Sequence, residues 1–200
     1  ILVFIEPSPT GLQTYGHKSR ELLILACTEV ENGLTQYLRM AGARPSGRTF
    51  TTTDYVRLLK PLRLAEYEIE FKPLALRMNP FANWAASQPT QSIAWYDAYN
   101  KTKHDREHHF VQATLENCLH AIAAAITLFS VRYSPLVLEL GQGSLSGIFR
   151  QHFTVRLNNP DPTSFYTPHI VVPPEWSRTA LSWGGMEQRV SAWTSKPLIV

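Results

Sequence analysis

The side chains best able to do chemistry are concentrated between Trp95 and Phe110, in the run Tyr99-Asn100-Lys101-Thr102-Lys103-His104-Asp105-Arg106-Glu107-His108-His109. Three of the seven histidines fall within six positions there, among lysines, an arginine and acids. An imidazole titrates near neutral pH, so each histidine can move a proton or ligate a metal. Cations and aromatics side by side are also the means by which proteins hold phosphates and bases. A plainer structural role is equally open. If one helix continued from Ile93 to Phe129, His104 and His108 would join the inner stripe of Val111 and Leu115, and Glu29 or Glu31 would satisfy their ring nitrogens. A third reading takes His104-x-x-Glu107-His108 as an inverted zincin pattern. Two imidazoles at i and i+4 would then hold zinc with Glu107 as base, and Glu139 or Glu187 would be the third ligand.

These residues need elements to position them. Leu22, Leu23, Ala26, Val30, Leu34, Tyr37, Leu38 and Ala41 recur at three- and four-residue spacing, which predicts a helix over 19–41 ended by Gly42 and Pro45. A loop over 42–53 follows. Asp54 is the expected N-cap of a short helix, Tyr55 to Lys60, ended by Pro61. Strict alternation in Glu66-Tyr67-Glu68-Ile69-Glu70-Phe71-Lys72 predicts a strand with Tyr67, Ile69 and Phe71 on its buried face. Residues 73–91 contain Pro73, Pro80 and Pro89 and read as an irregular loop. Ser92 is expected to cap a helix carrying Trp95, Tyr96 and Tyr99, with a junction near the polar cluster. Val111, Leu115, Cys118, Leu119, Ile122, Ala125, Ile126 and Phe129 then give a core stripe ending near Tyr133 and Pro135.

Beyond Pro135 the character changes. Phe149, Phe153, Val155 and Leu157 alternate with Arg150, His152, Thr154 and Arg156, predicting a strand with a basic face. Its pairing with the 66–72 strand would set Glu66, Glu68 and Glu70 opposite Arg150 and Arg156. Residues 158–162 read as a turn, 165–172 and 188–193 as further extended pieces, and Ile1 to Ile5 as a short strand. Trp176, Trp183 and Trp193 are read as anchors of this segment. The expected class is α+β, mainly α, in two parts: a helical domain over 1–135 and a mostly β or irregular extension over 136–200 packed on it.

Composition narrows the function. With 44% hydrophobic residues in 200, the chain can bury a substantial core, and 18% charged residues argue against long disordered tails. A net charge of +3 tolerates phosphate contact but is far from the basic stripe of a dedicated nucleic-acid binder. Cys27 and Cys118 each sit in a helical pattern and read as buried thiols. No apolar run approaches membrane-spanning length, so no membrane partner and a cytoplasmic location are expected. The chain starts at Ile1, without Met, which is compatible with a fragment of a longer protein.

Glu21-Leu22-Leu23 through Glu29-Val30-Glu31 on the first helix, and Asn100-x-x-x-His104 leading into a long amphipathic helix, resemble the HEPN superfamily of helical domains over about Tyr15 to Tyr133. The resemblance implies an antiparallel helical bundle, with the strands as a small antiparallel extension. In catalytic members an Arg, then a polar residue, then a His cleave RNA without metal across a homodimer interface. Asn100 and His104 match the polar and His positions, while Tyr99 stands where Arg is expected and carries no fixed positive charge. The implied function is therefore a non-catalytic module binding RNA, nucleotide or a protein partner. Tyr99, Lys101, Lys103 and Arg106 would be its binding residues, and no cofactor or metal is called for. The alternatives are an endoribonuclease using His104 with Asn100, and the zinc hydrolase described above.

Overall fold

The computed structural model describes residues 5–6, 8–133, 136–158, 170–171, 194–195 and 198–200. Helix α1 spans His17–Met40 and buries Leu23, Ala26, Cys27, Val30, Leu34, Tyr37 and Leu38, the residues whose spacing marks one face. Its end is built by Gly42, at φ 67°, with the amide of Ala43 donating to Leu38 O and that of Gly42 to Arg39 O. This pair of bonds needs a left-handed residue between them, which glycine supplies without strain.

Helix α2 is shorter and earlier than the sequence suggests, Thr52–Tyr55, followed by a 3-10 turn over Val56–Leu58. Asp54 is not its N-cap. It lies in the first turn and reaches back to accept the Thr51 amide at 3.0 Å, which is the reciprocal half of a capping box.

Strand β1, Tyr67–Phe71, buries Tyr67, Ile69 and Phe71 as its alternation predicts. The following proline-rich segment is not wholly irregular, because Leu76–Met78 forms β2, antiparallel to β1. Ser92 does not cap the next helix. Its hydroxyl accepts the Ala85 amide at 3.0 Å, and the backbone of Ile93 precedes α3, Ala94–His104, without a side-chain cap.

The polar cluster falls at a break. Asp105 leaves helical geometry (φ −138°, ψ 75°), a four-residue α4 covers Arg106–His109, and a 3-10 turn covers Phe110–Gln112. Helix α5, Leu115–Tyr133, starts only after this, so Val111 lies outside the stripe and is exposed. Leu115, Cys118, Leu119, Ala121, Ala123, Ala124, Leu128 and Val131 are all buried, which means α5 is covered on most sides. It packs chiefly on α1, then on α3 and β1, and is the centre of the molecule.

The next residues depart from the expected mostly β or irregular character at the start of the 136–200 segment. Leu136–Leu140 and Ser144–His152 are helices α6 and α7, so of the expected 149–157 strand Phe153–Leu157, β3, is extended. Arg150 sits on α7 and donates to the carbonyls of Glu139 and Gly141 rather than facing β1. Strand β3 does pair with β1, antiparallel, with Ile69 opposite Val155 and Glu68 opposite Arg156, giving the sheet order β2-β1-β3. Arg156 bonds Glu70 diagonally at 2.6 Å, Arg77 of β2 approaches Glu68 at 3.8 Å, and Glu66 is held by Arg63 in the turn before β1. A short ladder pairs Ile170–Val171 (β4) with Thr194–Ser195 (β5). The rest of the expected 165–172 and 188–193 strands, most of the Ile1 to Ile5 strand, the 158–162 turn past Asn158, and Trp176, Trp183, Glu187 and Trp193 lie outside the described residues.

The molecule is thus mainly helical, with a small antiparallel sheet. Cys27 and Cys118 are buried and unbridged on α1 and α5, and the Cys118 thiol donates to Ser19 O at 3.1 Å. Burial raises both thiols, Cys118 to about 12. Among the described residues, no helix is long and apolar enough to cross a membrane.

Candidate functional site

Helix α3 turns Trp95, Tyr96 and Tyr99 inward, and their aromatic bodies join the core beside Phe81 and Trp84. Two polar ends need partners once buried. Glu31, projecting from α1, supplies both. One oxygen accepts the Tyr96 hydroxyl in a short hydrogen bond, and the other accepts the Tyr99 hydroxyl at 3.2 Å. Glu31 is therefore a half-buried cross-tie from the first helix, but its partners are tyrosines and not the expected His104 or His108. Glu29 is exposed.

Lys103 completes this network. Its ammonium donates to the Tyr99 oxygen at 2.7 Å and lies 4.9 Å from the centre of the same ring. The hydrogen bond to Tyr99 raises Lys103, while burial, and then Glu31, raise Tyr99, so the ammonium and the phenol both persist at neutral pH. Burial and the bonded Glu31 carboxylate likewise raise Tyr96. The order Lys103, Tyr99, Glu31 links a surface cation through a buried hydroxyl to a carboxylate. Tyr99, at 1% exposure, offers no ring face to a ligand.

The remaining expected binding residues divide. Lys101 is held by Asp97 at 2.6 Å one turn earlier, a pair the helix spacing allows. Arg106 leaves the α4 surface toward α1, placing one nitrogen 3.3 Å from His17 Nδ1 and its guanidinium 5.5 Å from the Phe110 ring centre. His104 is exposed, Asn100 is half-buried one turn before it, and neither side chain has a hydrogen-bond partner among the described residues. The two residues stand on one helix with solvent access.

The break at Asp105 decides the fate of the metal pattern. His104 ends α3 and His108 belongs to α4, so the i and i+4 relation of one continuous helix is lost. Asp105 accepts the His108 amide at 3.3 Å and approaches its Nδ1 at 2.9 Å; the His108 hydrogen bonds hold its carboxyl below the usual range. Glu139 is engaged elsewhere, accepting the Val155 amide at 3.1 Å. Among the described residues no three His, Cys, Asp or Glu side chains converge.

The sequence reading missed the neighbours that α1 brings to this junction. The segment before α1 runs beside the start of α5, with Tyr15 bridged to Thr114 and Leu115 donating to Thr14 O at 2.9 Å. Tyr15 then meets Phe110 edge-on at 5.8 Å, and the His17 ring lies 4.9 Å from Phe110. Arg20 donates to Thr102 O at 3.1 Å, two residues before His104. Tyr15, His17, Leu22 and Leu25 line a groove of about 660 Å³ beside the patch. Only long-range folding joins residues 15–25 to 104–110, so no local motif signals it. Comparisons of the chain with protein-family models, with curated proteins and with solved structures give no match.

Proposed function

We propose that the chain is a HEPN-like domain without catalytic activity, binding single-stranded RNA or nucleotide on the patch formed by Tyr15, His17, Arg106 and Phe110, with His104 exposed at the end of α3. The observation that carries the non-catalytic half is the inward use of Tyr99. At the position where an arginine would stabilise charge developing on phosphate, the side chain is buried and tied between Glu31 and Lys103. His104 then has no arginine one helical turn before it, and the nearby Lys103 ammonium is spent on Tyr99. The binding half rests on exposed aromatic edges beside a guanidinium, a combination that stacks bases and contacts phosphates. The same reading puts the protein in the cytoplasm, with the apolar groove beside Tyr15 open to a protein partner or a second copy.

Anisotropy of a fluorescein-labelled 12-nucleotide RNA, titrated with the full chain, tests this. Saturable binding that Arg106→Ala weakens about tenfold is expected, since a charge-assisted contact contributes about 1.5–3 kcal/mol. The RNA stays intact on a denaturing gel. Cleavage abolished by His104→Ala would overturn the non-catalytic reading in favour of a metal-independent endoribonuclease. Loss of binding to every RNA tried would remove the ligand class.

A further inference from the structure

A second concavity lies at the other end of α1, away from the junction at its beginning. Arg39, in the last turn of α1, and Arg44 and Arg48, in the loop that follows, stand around a recess of about 510 Å³. None of the three side chains makes an ion pair or hydrogen bond among the described residues. The floor is neutral and firmly held. Tyr55 places its hydroxyl 3.0 Å from that of Thr35 and donates to Phe50 O at 3.3 Å, and the Phe50 ring forms part of the wall.

No carboxylate lines the recess. Asp54 of α2 is fully buried, and its oxygens are occupied by the Ser46 and Thr51 amides at 3.1 and 3.0 Å and by the Ser46 hydroxyl. That acid shapes the loop carrying Arg44 and Arg48 without reaching the cavity. Arg57 is turned away, onto Val200 O at 3.2 Å. Three arginines of like charge line one recess, and an anion there offsets that charge.

From this geometry we infer that the recess between the end of α1 and the 42–50 loop is a binding site for a nucleoside diphosphate. Its volume falls in the usual range for small-molecule sites, about 300–1,000 Å³. Arginine matches phosphate oxygens with paired donors. A diphosphate ester carries about three negative charges at neutral pH, matching three arginines better than a monoester with about two. Phe50 offers an aromatic wall to the base, as in other sites that stack nucleobases. The Thr35 and Tyr55 hydroxyls supply polar contacts to the sugar. This site is separate from the RNA patch and does not depend on it.

The test is titration of the full chain with the N-methylanthraniloyl derivative of ADP, read by fluorescence and competed with unlabelled compounds. Saturable binding is expected, displaced by ADP, more weakly by pyrophosphate, and not by adenosine. The Arg44→Ala/Arg48→Ala double variant weakens it by about tenfold to a hundredfold or more, since each lost charged hydrogen bond is worth at least tenfold. Both residues are exposed, so its thermal midpoint stays that of the parent. Phe50→Leu makes ADP and pyrophosphate equal competitors. No saturable binding at millimolar probe, or binding that the double variant retains, overturns the proposal. So does displacement by a 12-nucleotide RNA at equal phosphate concentration, which would make the arginines part of a strand-binding track.

Discussion

Glu31 holds two phenolic hydroxyls on one carboxylate in the space between α1 and α3, and removing it strands the Tyr96 hydroxyl and leaves that of Tyr99 with Lys103. A buried hydroxyl without a partner costs about 1–3 kcal/mol. Glu31→Ala is therefore expected to destabilise the protein by about 2–5 kcal/mol in urea unfolding. Tyr99→Phe, which removes one hydroxyl and with it its bonds to Glu31 and Lys103, costs about 1 kcal/mol. In a double-mutant cycle the pair should couple, and strict additivity would mean that the bond contributes nothing. Asp54 behaves differently because its environment is titratable. Burial pushes its carboxyl up, but the Ser46 hydroxyl, the two amides and Arg57 outweigh this and leave it below the usual value. A lowered folded-state value adds stability that is fully present above the unfolded value of about 3.9 and is lost as pH falls through the folded one. Asp54→Asn should thus lower stability at pH 7 by about 1–3 kcal/mol and flatten the acid limb below pH 4. An unchanged acid limb would refute that assignment. None of this was legible residue by residue. The sequence marked Glu31 as a polar cross-tie and Asp54 as a capping residue, while their partners, Tyr96, Tyr99 and Ser46, depend on how the elements meet.

The helices resolve according to how much of their pattern is local. Periodicity in α1 runs over six turns and a glycine ends it, so its limits follow from the sequence to within two residues. Alternation in β1 is equally legible. The 149–152 stretch alternates as well, yet it is the last turn of α7, because alternation over only four residues also suits a helix end whose Phe149 is buried. Strand β2 has three residues, too few for any period, and exists because β1 offers it an edge. The α1 and α5 contact shows a further sequence choice. A Cβ on Gly33 would stand 3.1 Å from Leu128 Cδ1, so glycine allows these helices to approach. Gly33→Ala sets about 1 kcal/mol of helix propensity against a small push on a movable methyl, and should lie near the parent in stability. Gly33→Leu overfills the contact and should lose about 1–3 kcal/mol by chemical denaturation. A stable Gly33→Leu protein would show that the interface has slack.

At the scale of the whole molecule, the chain returns to its own middle. Strand β3, after α7, completes a sheet begun by β1 some ninety residues earlier, and its outer edge is covered where Glu139 accepts the Val155 amide. That charged cap uses an edge donor another chain would otherwise pair with. Such long-range closure explains why the overall class was readable from patterns while the site was not. The mixture of helix and strand is a sum of local signals, whereas Tyr15, His17, Arg106 and Phe110 meet only after α1, α4 and α5 are in place.

The two sulfurs sealed on α1 and α5 make the fold self-reporting. Each thiol is raised by burial and has no solvent exposure, so an aqueous disulfide reagent can reach it only when the central helices part. In native buffer, labelling of Cys27 and Cys118 should proceed at one shared rate, thousands of times slower than for a free thiol. That rate should accelerate in step with each destabilising substitution described above. Two well-separated rates would mean that the outer turns open before the centre does. The molecule thus carries its own clock for breathing, without an added probe.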